Sequence, residues 1–432
     1  MKISLFQGIL FGVFGLAALI GLFVFATQTG NSNTSETVGA VVIWGTLPKA
    51  DLQTALTTAG QIDETLKGVS YVQKDAATLT QDLASAIATG SAPDLVLASQ
   101  EELHGLAKFI TPIPLSTLSA RTFTSAFVGE GQLFTAPNGM GYWGIPFLVN
   151  PLAVFSNRAI LASSGIAKPP ETWEALTGLV SKVAVLTPSR QISRGLIALG
   201  TYTNVRNARG ILSALFLQTG SPVSGYNSGG TLVASLGGSS GGSGQAVLGF
   251  YTQFTDPSKV SYTWNASLPD SQTAFLAGDL ALYLGYASEA RFLRSANPNL
   301  DFDISPLPQP ATAKVKSTYG LVYAFMIPRG AANSAGAYQA AVLLTNATEQ
   351  AVAASATGLA PASLNVLATA PSDPVATVAY AEALYAKGWL SPSTSDTDTV
   401  FSGMINNVIS GRSNLDSALA SAERSLSALL QQ

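Results

Sequence analysis

The chain of 432 residues contains no cysteine and a single histidine, His104. Without cysteine there are no disulfides, no thiolate zinc site and no lipid-modified cysteine behind a leader, so any attachment to a membrane has to be made by peptide. A histidine-based metal cage or a Ser-His-Asp triad would depend entirely on His104, which stands beside Glu101 and Glu102 in a helical pattern and reads as a surface side chain. Charge is scarce too: 11% of residues are charged, 22 basic against 25 acidic, for a net charge of −3. They are spread thinly, with no Lys/Arg run of the kind that neutralises phosphates, which excludes nucleic acid as a partner. No catalytic group, cofactor or metal site is expected from this inventory.

What the chain does have begins at its amino end. Ile3 to Ala26 is almost wholly apolar, and no charge occurs between Lys2 and Glu36. As a helix the run would be roughly 36 Å long at about 1.5 Å per residue, enough to cross a hydrocarbon core of about 30 Å. A cleavable signal usually ends in small residues after about 7 to 15 apolar ones. Here the run ends in Phe23, Val24 and Phe25, so residues 1–26 are expected to be an uncleaved transmembrane anchor, with Lys2 cytoplasmic and the remainder extracytoplasmic. Residues 27–37, TQTGNSNTSET, follow as a polar tether holding the body on the order of 18 Å from the membrane.

The body exceeds one ordinary core, so two domains are expected. It opens with a buried-strand pattern, Ala40 to Trp44. Leu79, Leu83 and Ile87 recur at helical spacing before Gly90, and Pro93 to Ala98 (PDLVLA) is the next strand; such alternation implies a largely parallel sheet with covered faces. Residues 142–176, YWGIPFLVNPLAVFSNRAILASSGIAKPPETWEAL, contain a strand from Gly144 to Val149, a bend at Asn150 and Pro151, and a second strand from Leu152 to Phe155. A short helix stopped by Gly165 and a new helix capped by Thr172 follow. Phe275 to Gly285, FLAGDLALYLG, gives a helix end, a glycine turn and an apolar strand, followed by Pro306 to Pro308, PLP. Leu415, Leu419, Ala422, Leu426 and Leu429 form the face of a last helix, with Ser413 and Asp416 placed as its capping pair.

In this co-linear order, from about Val41 to Leu430, the motifs resemble the extracytoplasmic solute-binding proteins of ABC importers, family 1, the maltose/sugar-binding type. The resemblance implies an α/β, two-lobed periplasmic-binding-protein-like fold with three interlobe crossings, near residues 149–152, 297–303 and 343–347. The first lobe is then 38–150 plus about 300–345, the second 151–299 plus about 346–432. It also implies a small polar solute, most naturally a sugar, held in the interlobe cleft and passed to the importer's permease subunits.

Carried onto this chain, the family's ligand-facing positions are Trp44, Gly45 and Thr46 at the end of the first strand, Ser99 and Gln100 after the PDLVLA strand, Asn150 at the first crossing, and Tyr286 and Ser288 after the FxxGxxA strand. Tyr323 stands where relatives often have tryptophan, and Trp264 is placed to close over the ligand from a loop. The chain departs from maltose-binding relatives at Ser288 and at Asp398, where tryptophans stack on sugars, and at Asn150, where an acid is common. Two other functions compete. A glycoside hydrolase would need a carboxylate pair, for which Asp301 and Asp303 are the nearest candidates. A G-x-S-x-G match at Gly237 to Gly241, centred on Ser239, falls in a Ser/Gly run without a histidine partner. A tethered scaffold or adhesion protein would keep the fold and lack the ligand.

Overall fold

One strand holds the two halves of the molecule together. The computed structural model describes residues 37–237 and 243–432, so the expected anchor, nearly all of the tether and Ser239 lie outside the described residues. Among the described residues no helix is long and apolar enough to cross a membrane. The principal strands are β1 (Val41–Gly45), β2 (Val69–Gln73), β3 (Leu95–Ser99), β4 (Ile145–Asn157), β5 (Ile192–Ile197), β6 (Leu280–Tyr286), β7 (Phe302–Ser305) and β8 (Thr318–Met326). Their order across the sheet is β2-β1-β3-β8-β4-β6-β5. The outer pairs β2-β1-β3 and β6-β5 are parallel, and the middle pairs around β8 and β4 are antiparallel.

β4 spans both halves, and all thirteen of its residues are buried. Its first part pairs with β8, from Ile145 to Pro151, while its second part pairs with β6 and β7 between Leu152 and Asn157. Where the sequence suggests a bend at Asn150 and Pro151 between two strands, the strand is continuous. Proline is tolerated in this central position because it stands where β4 changes partners, so its missing N–H removes little from either ladder.

Six helices matter to the cleft: α1 (Lys49–Ile62), α2 (Gln100–Leu106), α3 (Ala208–Gln218), α4 (Glu289–Ala296), α5 (Ala347–Thr357) and α6 (Thr394–Ile409). The FxxGxxA segment folds as its residues predict: the helix Ser271–Ala277 ends on Gly278 at φ +82, a left-handed cap glycine takes without strain, and β6 begins two residues later. The last helix, Leu415–Leu429, buries Leu419, Ala422 and Leu426, but its cap is Asn414, whose side chain accepts from the Ser417 amide, and not Ser413.

Two apolar clusters form the cores. One gathers Val41, Ile43, Leu95 to Ala98, Phe147 to Val149 and Val322 to Met326; the other gathers Leu152, Val154, Phe155, Ile197, Phe216, Phe275, Leu280 to Leu284 and Phe401. The chain leaves the first cluster after Val149 and enters the second at Leu152. The other two crossings shift. Leu307 and Tyr319 still belong to the second cluster and Val322 to the first, so the return crossing runs through β8 and not through 297–303. Residues 343–347 do not cross: Ala337, Ala340, Ala341, Ala353, Ala354 and Leu359 pack in the first cluster, and the chain passes over between Ala386 and Trp389. The alanine-rich helices Ser334–Leu344 and α5 carry small side chains that allow close packing on the first core, a preference that helical periodicity alone does not reveal.

A buried acid sits beside this last crossing. Glu130 is 5% exposed, and neither carboxylate oxygen has a hydrogen-bond partner. A Cβ at Gly320 or Gly388 would come within 2.8 or 2.7 Å of the carboxylate, so both glycines are needed to admit it. Burial pushes its pKa from 4.5 up to about 8. The folded state then holds a proton that the unfolded chain releases near pH 4.5, and stability falls as pH rises from about 4.5 to 8, levelling off above. Denaturant unfolding across this range is expected to show Glu130→Gln more stable than the native chain at pH 8.5, by on the order of 3–5 kcal/mol, with the advantage gone by pH 4.5.

Candidate functional site

Two open cavities, of about 550 and 560 Å³, border the residues at which the lobes meet, the first lined by the second lobe alone and the second by both, in the ordinary size range of small-molecule sites. The first is bordered by Tyr202, Asn207, Arg209, Tyr286, Asp398 and Ser402. The second takes Thr46, Asp51 and Tyr323 from the first lobe, and Asn150, Ser288 and Phe292 from the hinge and the second lobe. Six of the residues singled out in the sequence thus meet here: Thr46, Asn150, Tyr286, Ser288, Tyr323 and Asp398.

The other five do different work. The Ser99 hydroxyl accepts from the Glu101 amide, and Ser99 donates through both N–H and Oγ to Glu102, which closes a capping box on α2. Gln100 is wholly buried and splices α2 to β8, donating to the Gly320 carbonyl at 2.9 Å and accepting from the Val322 amide at 2.8 Å. Gly45 is required by packing, since a Cβ would lie 2.7 Å from the Leu97 carbonyl and 2.8 Å from the Tyr71 ring. Trp44 borders neither cavity; the Lys74 ammonium lies 3.8 Å from its ring centroid and occupies a face that a sugar would need. Trp264 is 1% exposed in the second core and presents no face to the cleft. Its loop has the right sequence position, but its ring packs inward.

The strongest interaction in the cleft involves residues the sequence did not single out. Arg209, at the start of α3 in the second lobe, meets Glu101, at the start of α2 in the first, through two parallel bonds: Nε to Oε1 at 3.0 Å and Nη2 to Oε2 at 2.9 Å. Its Nη1 donates to Asp398 Oδ2 at 2.6 Å. Tyr319 donates to Glu101 and Tyr202 to Asp398, each at 2.5 Å. Burial works against the guanidinium charge, but Glu101 and Asp398 outweigh it and hold Arg209 protonated well above its usual range. Burial, then the Asp398 charge, raise the Tyr202 phenol. Two signals for this cluster were in the sequence. A cation in the first turn of a helix opposes the macrodipole and calls for a specific anion, and in a chain this poor in charge two adjacent acids at a strand-to-helix junction are unusual.

The surrounding groups are fixed by further bonds. Asn150 donates to Ser288 Oγ at 2.9 Å and accepts from its amide at 3.3 Å, which pins the turn after β6 to the crossing strand. Glu289 accepts from Tyr283, from Gln272 at 2.6 Å, from Asn207 at 2.7 Å and from the Tyr286 amide at 2.9 Å; burial nonetheless raises its pKa. Asn207, at φ +62, is thereby fastened two residues ahead of Arg209. Burial and then the Glu101 charge push Glu102 up to about 7, against the pull of its bonds to Ser99. At the rim Arg291 reaches from α4 to Asp51 on α1 at 3.6 Å and to the Ala356 carbonyl in α5.

Asp301 and Asp303 stand elsewhere. They flank Arg158 at 3.6 and 3.5 Å with exposed side chains beside a separate surface pocket, and neither borders the cleft. Among the described residues no group of three or more His, Cys, Asp or Glu is arranged to hold a metal ion. A larger cavity of about 1150 Å³ lies at the other end of α3, bordered by Glu130, Leu217, Tyr226, Lys316 and Trp389.

Solved structures of similar fold include several described as sugar-binding proteins. A cyclo/maltodextrin-binding protein complexed with maltotetraose is 16% identical, with a TM-score of 0.73 over 93% of this chain and 99% of that one. A cyclic alpha-maltosyl-1,6-maltose binding protein from Arthrobacter globiformis is 14% identical, with a TM-score of 0.72 over 91% and 99%. The maltotriose binding protein of Thermus thermophilus bound with maltotriose is 19% identical, with a TM-score of 0.63 over 90% and 99%. At these identities the likeness establishes the two-lobed fold. No curated protein matches the chain by sequence. Residues 63–382, well over half of the chain, match the family model of the bacterial extracellular solute-binding proteins, and the chain belongs to that family.

Proposed function

We propose that the protein captures a carbohydrate in the interlobe cleft and delivers it to the permease of an ABC importer, without catalysing a reaction. The observation that carries this reading is the cleft itself, where polar groups from both lobes and from the crossing strand converge beside aromatic surface. Thr46, Asn150, Ser288, Asn207 and Asp398 offer donors and acceptors of the kind hydroxyls need. Tyr202, Tyr286, Tyr323 and the half-exposed Phe292 offer ring faces. The sugars named for the structural neighbours, maltotetraose and maltotriose among them, support the same chemistry. A hydrolase is disfavoured by the position of Asp301 and Asp303 on the outside of the second lobe.

The division of labour we infer is a first lobe of 38–150 with about 320–386, and a second of 151–319 with about 387–432, closing on the solute by bending at the three crossings. Hinge closure of this kind is the behaviour for which periplasmic binding proteins are the standard example. Residues 3–26 are proposed to anchor the body to the outer face of the cytoplasmic membrane, on the strength of their length and lack of charge.

Two measurements test these readings. Calorimetry of the full-length protein against glucose and mannose oligosaccharides is expected to find binding that Asn150→Ala and Tyr202→Phe each weaken roughly 2- to 10-fold, the cost of about 0.5–1.5 kcal/mol for a lost hydrogen bond. Absence of binding to any carbohydrate would favour the scaffold alternative. Membrane fractionation followed by amino-terminal sequencing is expected to recover the intact chain in the membrane fraction; a soluble chain beginning near Thr27 would overturn the anchor.

A further inference from the structure

The two cavities of the cleft are neighbours, yet they have no bordering residue in common. Tyr286 faces the first and Ser288, two residues on, faces the second. Arg209 borders the first cavity, and its partner Glu101 accepts from Tyr319, while the Tyr286 hydroxyl lies against Gly210 in the same helix as Arg209. Resting on the carbohydrate reading of the cleft, we propose that the Glu101–Arg209 bridge ties the lobes together across the middle of the cleft and partitions it into two chambers, so that the protein takes short solutes and rejects long ones.

The geometry gives the wall its strength. The pair is bidentate, with Glu101 3% exposed and Arg209 20% exposed at the side chain. Asp398 and Thr394 hold the far side of the guanidinium, at 2.6 and 3.3 Å. A solute confined to one chamber leaves all of these bonds intact. A solute long enough to enter both has to part Glu101 from Arg209, stranding a buried carboxylate with Tyr319 as its remaining side-chain partner. Because one partner comes from each lobe, the wall is assembled by closure itself. It thus measures length at the moment the solute is enclosed.

The test compares the native full-length protein with Glu101→Gln, Arg209→Gln and the double variant, which leaves neither charge unpaired if a single change fails to fold. Titration with two-unit and five-unit members of the α-1,4-glucose and β-1,4-mannose series reads the ratio of affinities. The native protein is expected to bind the five-unit oligomer no more tightly than the two-unit one, and the variants to shift that ratio at least tenfold toward the longer oligomer. A ratio that is the same in all four proteins, or a native preference for five units, overturns the partition. Binding of no oligomer by any of them would defeat the carbohydrate reading, and small-angle scattering of the unliganded proteins then decides the bridge alone. A larger radius of gyration in the double variant supports it, and an unchanged radius overturns it.

Discussion

Strand β4 imposes the constraint on which the rest of the molecule depends. A single extended segment is hydrogen-bonded on both sides in each lobe, to β8 and the Ala360–Pro361 bridge at one end and to β6 and β7 at the other. Neither core can form without placing the end of the other, because Val149 and Leu152 belong to different clusters and stand only three residues apart. The cleft inherits its geometry from this strand. Asn150 sits at the change of partners and reaches Ser288, so the floor of the site is set by backbone pairing before any solute is present.

The scarcity of charge gives the few buried ionisable groups unusual weight. Most of the polar surface is neutral, and a group of charged side chains, Glu101, Glu102, Glu289 and Arg209, is withdrawn from it on the elements that line the cleft. Low dielectric makes each of them costly unless partnered, and three of the four are satisfied by directed bonds from more than one element. Glu289 shows the principle at the level of fold: one carboxylate collects bonds from Gln272, Tyr283, Tyr286 and Asn207, so a single buried acid registers α3 against β6.

How much of this was legible in the sequence depended on how local the signal was. β1, β3, β6, the Gly278 turn and the Thr172 cap are set by side-chain period and cap chemistry within a few residues, and each stands where the pattern puts it. The later crossings were not legible, because whether an alanine-rich helix such as α5 packs on one core or the other depends on tertiary fit. The site was half legible. Thr46, Asn150 and Ser288 were marked by the family resemblance and stand at strand ends and turns, whereas the outward or inward facing of Trp44 and Trp264 depends on neighbours distant in sequence, Lys74 in one case and the second core in the other. Glu101 and Arg209 lie 108 residues apart and acquire their meaning only when the lobes are brought together.

Three crossings also bear on inheritance. Neither lobe is encoded by a contiguous stretch, since each resumes after the chain has visited the other. A recombination event that moved one uninterrupted segment would carry parts of both cores and complete neither. A lineage with this topology is therefore steered toward altering its solute by point substitution at the cleft, and away from exchanging a whole lobe for that of a relative.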